Sequence, residues 1–124
     1  MIYISNYTKL NKIKETYPNV LLVNVCHPKP VFAANDTQII DWGVFGPYTS
    51  LLQGYTSGKY TKEQFENLYQ IYLDKIWNST SFMMGQLSNR DAIFLTYDND
   101  AFPSRHILMK FFTAHGFTSK ELNI

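Results

Sequence analysis

Cysteine is almost absent from this chain, and that alone removes several kinds of protein. With Cys26 as the single cysteine, neither an intramolecular disulfide nor a thiolate-rich metal site can form. An excess of one charge is missing as well. The 11 basic residues face 10 acidic ones, the net charge is +1, and no block of like charge occurs. The electrostatic footprint of a duplex nucleic-acid binder is therefore lacking. Long apolar runs are missing too: the longest, such as residues 20–26, are far too short to cross a bilayer, so no membrane partner is expected. The opening Met1-Ile2-Tyr3-Ile4-Ser5 lacks the charged start and long apolar stretch of a secretion signal, which makes cytoplasm the expected location. Three histidines spread along the chain give no metal spacing, and no GxGxxG, Walker loop, HExxH or nucleophile elbow occurs. No cofactor is implied. Glycine and proline are sparse, at 6 and 5 residues, which argues against a disordered chain.

What is present is apolar and aromatic. The 124 residues are 45% hydrophobic and 16% aromatic, enough for one domain with one substantial core. Ile2-Tyr3-Ile4 reads as a strand, followed by Leu10, Ile13, Lys14 and Tyr17 at helical spacing, with Pro18-Asn19 as the stop. Val20-Leu21-Leu22-Val23-Asn24-Val25 is nearly continuous and rich in branched residues, as in a strand covered on both faces. Strand, helix and strand in about 25 residues form a crossover unit with parallel strands.

Residues 26–46 read as irregular, with His27-Pro28-Lys29-Pro30 forbidding a helix and Asn35-Asp36 and Trp42-Gly43 adding turn chemistry. Such a long irregular segment in a compact domain is more often functional than not. A short helix is expected from Pro47 to about Tyr55. Thr61-Lys62-Glu63-Gln64 is a capping box opening a long helix to about Asn78. Ala92 to Tyr97 repeats the buried-strand pattern and Asp98-Asn99-Asp100 turns the chain. Pro103 then begins a last helix with Ile107, Leu108, Phe111 and Phe112 on its core side, ending at Gly116. Glu121 to Ile124 reads as a short edge strand. The expected architecture is a single three-layer α/β domain with a mainly parallel sheet of about four strands.

In an open α/β sheet, ligands collect at the carboxyl ends of the strands. That rule selects Ser5, Asn6 and Tyr7 after the first strand, Cys26 and His27 after the second, and Asp98 after the third. Ser104, Arg105 and His106 follow in the first turn of the last helix. A helix start with an arginine suits a phosphate or carboxylate. Equally, Ser104 can cap the helix while Arg105 pairs with Asp98 or Asp100. His27 is a general base, a ligand contact, or a loop histidine bonded to backbone. His106 faces the same cleft or covers the core edge, and His115 at the far end is a favourable charge at a helix C-terminus. Cys26 is a small core residue or a nucleophile. Trp42 either stacks on a ligand ring or fills core.

Several of these stretches, taken in order, carry a family likeness. They are Ser5-Asn6-Tyr7, Tyr17-Pro18-Asn19-Val20, Pro28-Lys29-Pro30-Val31-Phe32, Pro47-Tyr48 and Thr61-Lys62-Glu63-Gln64-Phe65. Ile93 to Asp98 follows, with Phe102-Pro103-Ser104-Arg105-His106-Ile107-Leu108 behind it. With them the chain resembles the bacterial domain-of-unknown-function 488 family, for which nucleotide-related chemistry is suspected. The resemblance implies a Cys-His-Arg triplet on the first turn of the last helix. Here Pro103 and Ser104 stand where Cys and His would be, and only Arg105 matches. An anion contact at Arg105 survives that change; if Cys and His serve catalysis in the family, turnover here is either lost or moved to other groups such as His27 or Asp98.

A short, Asn-, Tyr- and Lys-rich standalone version also resembles phage accessory proteins, in which sequestering a nucleotide signal needs binding without turnover. The expected function is binding of a small anionic, nucleotide-type ligand at the carboxyl edge of the sheet. The competing classes are an enzyme cleaving a nucleotide or glycosidic bond, and a protein-binding inhibitor. Homo-oligomerisation is left open.

Overall fold

In the computed structural model, which describes residues 1–26, 29–87, 89–96 and 104–124, the apolar runs pair as an all-parallel sheet. Its strands are β1 (Ile2–Asn6), β2 (Leu21–Asn24), β3 (Ile39–Asp41), β4 (Ala92–Thr96) and β5 (Ser119–Glu121). They lie in the order β3-β2-β4-β1-β5. The expected strands are there and parallel, and β4 sits between β1 and β2.

The count corrects the expectation by one. β3 falls inside the segment read as irregular, because three residues, Ile39-Ile40-Asp41, are too few to display a period. The last strand is Ser119–Glu121 rather than 121–124, and Leu122 follows it with its N–H on the Ile4 carbonyl at 2.9 Å.

Alternation of side chains along each strand builds two cores. On one face Leu22, Ile39, Ile93 and Leu95 pack with Tyr7, with Ile13 of helix α1 (Leu10–Thr16) and with Ala33. On the other, Ile4, Val23 and Phe94 pack under α2 (Thr49–Thr56), α3 (Lys62–Gly85) and α4 (Ser104–Ala114). The result is the three-layer arrangement expected. The connections after β1 and β2 run one way across the sheet on the α1 face. Those after β3 and β4 run the other way on the opposite face, as one hand of crossover demands.

Helix limits follow local chemistry. The Thr61 hydroxyl accepts the Gln64 N–H at 3.1 Å and the Gln64 side chain accepts the Thr61 N–H at 2.9 Å, closing the capping box that opens α3. That helix runs to Gly85, seven residues past the expected stop at Asn78. The polar run Asn78-Ser79-Thr80-Ser81 looks like a terminus. However, the Ser79 and Thr80 hydroxyls donate back to the Ile76 carbonyl, and Thr80 and Met84 are buried. Tertiary packing overrides propensity there. Gly58 and Gly116 take positive φ of 84° and 87° just beyond α2 and α4, where any side chain would be strained.

Outside the cores, the Lys14 ammonium of α1 donates to the Asp36 carboxylate. That hydrogen bond holds the Asp36 carboxyl below its ordinary range. A depressed folded pKa adds stability that is present above the unfolded value near ~3.9 and is lost as pH falls through the folded one. Asp36→Asn is therefore expected to cost under about 1 kcal/mol at neutral pH. Its deficit should shrink as the pH is taken below about 4. Urea unfolding of both proteins across that range checks this; a deficit that stays constant in acid would assign the effect to packing instead.

Candidate functional site

The last rung that spans four strands is Asp41 on β3, Asn24 on β2, Leu95 on β4 and Ser5 on β1, with only Asn6 and Thr96 paired beyond it. Strand alternation puts all four side chains on the α1 face, since Ile39, Leu22 and Ile93 two positions earlier face that way. Three of the four are polar, two positions beyond the apolar Ile39, Leu22 and Ile93 on the same face. Asn24 is fully buried and Ser5 nearly so.

Asn24 uses every hydrogen-bonding position it has. Its Oδ1 accepts the Tyr7 hydroxyl at 2.9 Å and the Cys26 N–H at 3.1 Å. Its Nδ2 donates to the Cys26 carbonyl and to Asp41 Oδ1, each at 2.8 Å. The exits of β1, β2 and β3 are thereby tied to one amide. Because β4 lies between β1 and β2, the link from Tyr7 spans two strand spacings, roughly 10 Å, which needs a side chain as long as tyrosine. Burial, then the neighbouring Cys26, Asp41 and Asp36, push the Tyr7 phenol well above its ordinary range, so it stays a neutral donor.

The rim beside this node is held in place. Asp41 Oδ1 also accepts the Gly43 N–H at 3.0 Å. The turn Gly43–Phe45 presses on the end of β2 so closely that a Cβ at Gly43 would sit 2.6 Å from the Cys26 carbonyl oxygen. One at Gly46 would sit 2.1 Å from the Val25 carbonyl oxygen. From α3, the Tyr69 hydroxyl donates to the Phe45 carbonyl and the Tyr72 hydroxyl donates to the Val44 carbonyl. Trp42 fills core, edge-on to Phe94 at 6.0 Å. Cys26 is half-buried, its Sγ 3.9 Å from the Leu95 carbonyl oxygen.

Of the candidate residues read from the sequence, those described lie at this edge but on both sides of it. Ser5 and Tyr7 belong to the α1 face. Asn6 caps the turn at Tyr7–Lys9, its Oδ1 accepting the Thr8 N–H at 2.9 Å. Arg105 lies across the sheet in the first turn of α4, where its guanidinium donates to Glu121 at 3.3 Å. Glu121 pairs with Ile4 in the ladder and so stands at the β5 end of the edge. An arginine at a positive helix end needs an acid nearby, and Glu121 supplies it. His106 is exposed. His115, at the far end of α4, stacks on the Trp77 ring at 3.9 Å. His27, Asp98, Asp100 and the Ser104 side chain lie outside the described residues.

The polar node is what sequence reading missed. Its signal was Asn24 itself, a polar residue interrupting a run that is otherwise buried and apolar, since buried amides require partners. Two open clefts of about 300 and 380 Å³ lie at the opposite, amino edge, around Tyr17, Pro18 and Asn19. They adjoin the carboxyl end of α1, whose last carbonyls disfavour an anion. Among the described residues no group of three or more His, Cys, Asp or Glu could hold a metal ion, and no helix is long and apolar enough to cross a membrane. No family model, curated protein or solved structure matches the chain.

Proposed function

We propose that the protein binds a small anionic, nucleotide-type ligand at the carboxyl edge of its sheet and holds it without turnover. One observation carries this reading. β4 lies between β1 and β2, and the helix that follows it, α4, packs on one face of the sheet, while Ile13 and Ala33, which follow β1 and β2, pack on the other. Neighbouring strands that connect to opposite faces mark the position at which open α/β sheets take ligands. α4 follows β4 there, and the start of a helix favours negative charge. Arg105 in the same turn adds a formal positive charge, once Glu121 shares it or swings aside.

The test is equilibrium binding of nucleoside 5′-mono-, di- and triphosphates, with mass spectrometry of what is recovered after denaturation. Saturable binding and chemically intact nucleotide are expected. Arg105→Ala should weaken the affinity by roughly 1.5–3 kcal/mol, about 10- to 150-fold, with little change in melting temperature. Lost stability with unchanged affinity would leave Arg105 a structural residue and no ligand contact, and a cleaved product at many turnovers per chain would favour an enzyme. A protein-binding role has one observation behind it: Val31 and Phe32, next to the same edge, are 91% and 61% exposed.

A further inference from the structure

We infer that Asp41 is the residue of this edge that reads the neutral part of the ligand, accepting hydrogen bonds from a vicinal hydroxyl pair such as a ribose diol. This rests on the carboxyl-edge reading above and specifies it. The Asp41 carboxylate is divided in its duties. Oδ1 is fixed by two donors, the Asn24 amide at 2.8 Å and the Gly43 N–H at 3.0 Å. Oδ2 meets no hydrogen-bond donor or cation among the described residues, and the residue is exposed.

A carboxylate that served only the turn at Gly43 would need one oxygen and no rigid support from β2. Here the support is a buried amide with all its own positions filled, which cannot rotate without breaking contacts to Tyr7 and Cys26. The free oxygen is consequently aimed before any ligand arrives, which lowers the cost of ordering it on binding.

Chemistry then selects the partner. An ionised carboxylate only accepts, so it suits hydroxyl or amine donors and repels a phosphate. The anionic end of the ligand must lie elsewhere along the edge. The start of α4 follows β4, two strand spacings or roughly 10 Å from β3. Arg105 stands further on, towards β5. A ligand with a diol at one end and a phosphate at the other matches that order of charges. The three strand ends tied by Asn24 thus serve as a ruler between sugar and phosphate.

The experiment compares the four ribonucleoside 5′-monophosphates with their 2′,3′-dideoxy counterparts by titration calorimetry, on the unaltered protein and on Asp41→Asn. The substitution keeps an Oδ1 for Asn24 and Gly43 and turns the free acceptor into a donor. The unaltered protein should prefer at least one ribonucleotide by roughly 10- to 100-fold. Asp41→Asn should abolish that preference and leave dideoxy affinity in place. A preference that survives the substitution, or no preference in the unaltered protein, would overturn the role of Asp41 while the edge remains a binding site. Failure of all eight nucleotides to bind at millimolar concentration would remove both readings. If the variant folds poorly, Asp41→Glu, which keeps the carboxylate but shifts its oxygen, replaces it: a changed ribose preference supports the role of Asp41 and an unchanged one overturns it.

Discussion

Replacing Asn24 by Ala should destabilise the fold by roughly 3–5 kcal/mol, a large share of what a domain this size has. The substitution deletes four hydrogen bonds at a fully buried position. It leaves the Tyr7 hydroxyl and both backbone groups of Cys26 without those partners, at about 1–3 kcal/mol for each group that stays dry. The sum is capped because a water entering the vacated space would satisfy some of them. Urea unfolding measures the effect, with an unchanged slope expected. A loss below about 1 kcal/mol would mean that solvent already reaches the node and can replace its bonds. Asn24→Asp sharpens the test, since it sets a second carboxyl where an amide now donates to Asp41. That new acid would have a raised folded pKa. Its ionisation penalty is therefore absent below the unfolded value near ~3.9, and grows as pH rises above it.

The second large effect is expected at Phe94, on the central strand and fully buried. Its ring meets Trp42 edge-on at 6.0 Å and Phe112 edge-on at 5.2 Å, so it joins the sheet, the rim segment and α4. Phe94→Ala should cost about 3–5 kcal/mol through lost burial and the cavity left between two rigid rings. For a domain of this length that lowers the melting temperature by about 10 °C or more. Trp42 emission should shift to the red in the native state as its covering ring disappears. Calorimetry and fluorescence on the same sample would check both. A stable variant with unshifted emission would show that α4 closes over the gap.

Much of this fold could be read from residues, for identifiable reasons. Val20 to Val25 and Ala92 to Thr96 are nearly continuous apolar runs because their strands are covered on both faces, and their shortness and branched residues separate them from a buried helix. Thr61 and Gln64 announced the start of α3 through a reciprocal side-chain bond that is local by nature. What escaped was decided by distant partners. β3 exists because three residues find β2, and α3 passes Asn78 because Thr80 and Met84 find a core.

The site divides in the same way. The edge itself follows from parallel order, which the sequence suggested. The link from Tyr7 through Asn24 to Asp41 joins residues 17 apart at each step, and nothing local records it. Glu121 was likewise hidden from Arg105 by a separation of 16 residues along the chain.

The place of β4 also sets a timetable. β1 and β2 do not touch each other; each finds its main-chain partner in β4, some 70–90 residues later. A chain emerging from the ribosome at about 5–20 residues per second would carry two unpaired apolar strands for several seconds before the third arrives. Only β3 can pair with β2 in that interval, and β3 is three residues long. The long, well-capped α3 is made during the wait and can form early from local bonds alone. Synthesis thus leaves the centre of the sheet open until β4 arrives, and only α4 and the edge strand β5 are made after it. Closure of the domain becomes one late step that brings both cores and the polar node together.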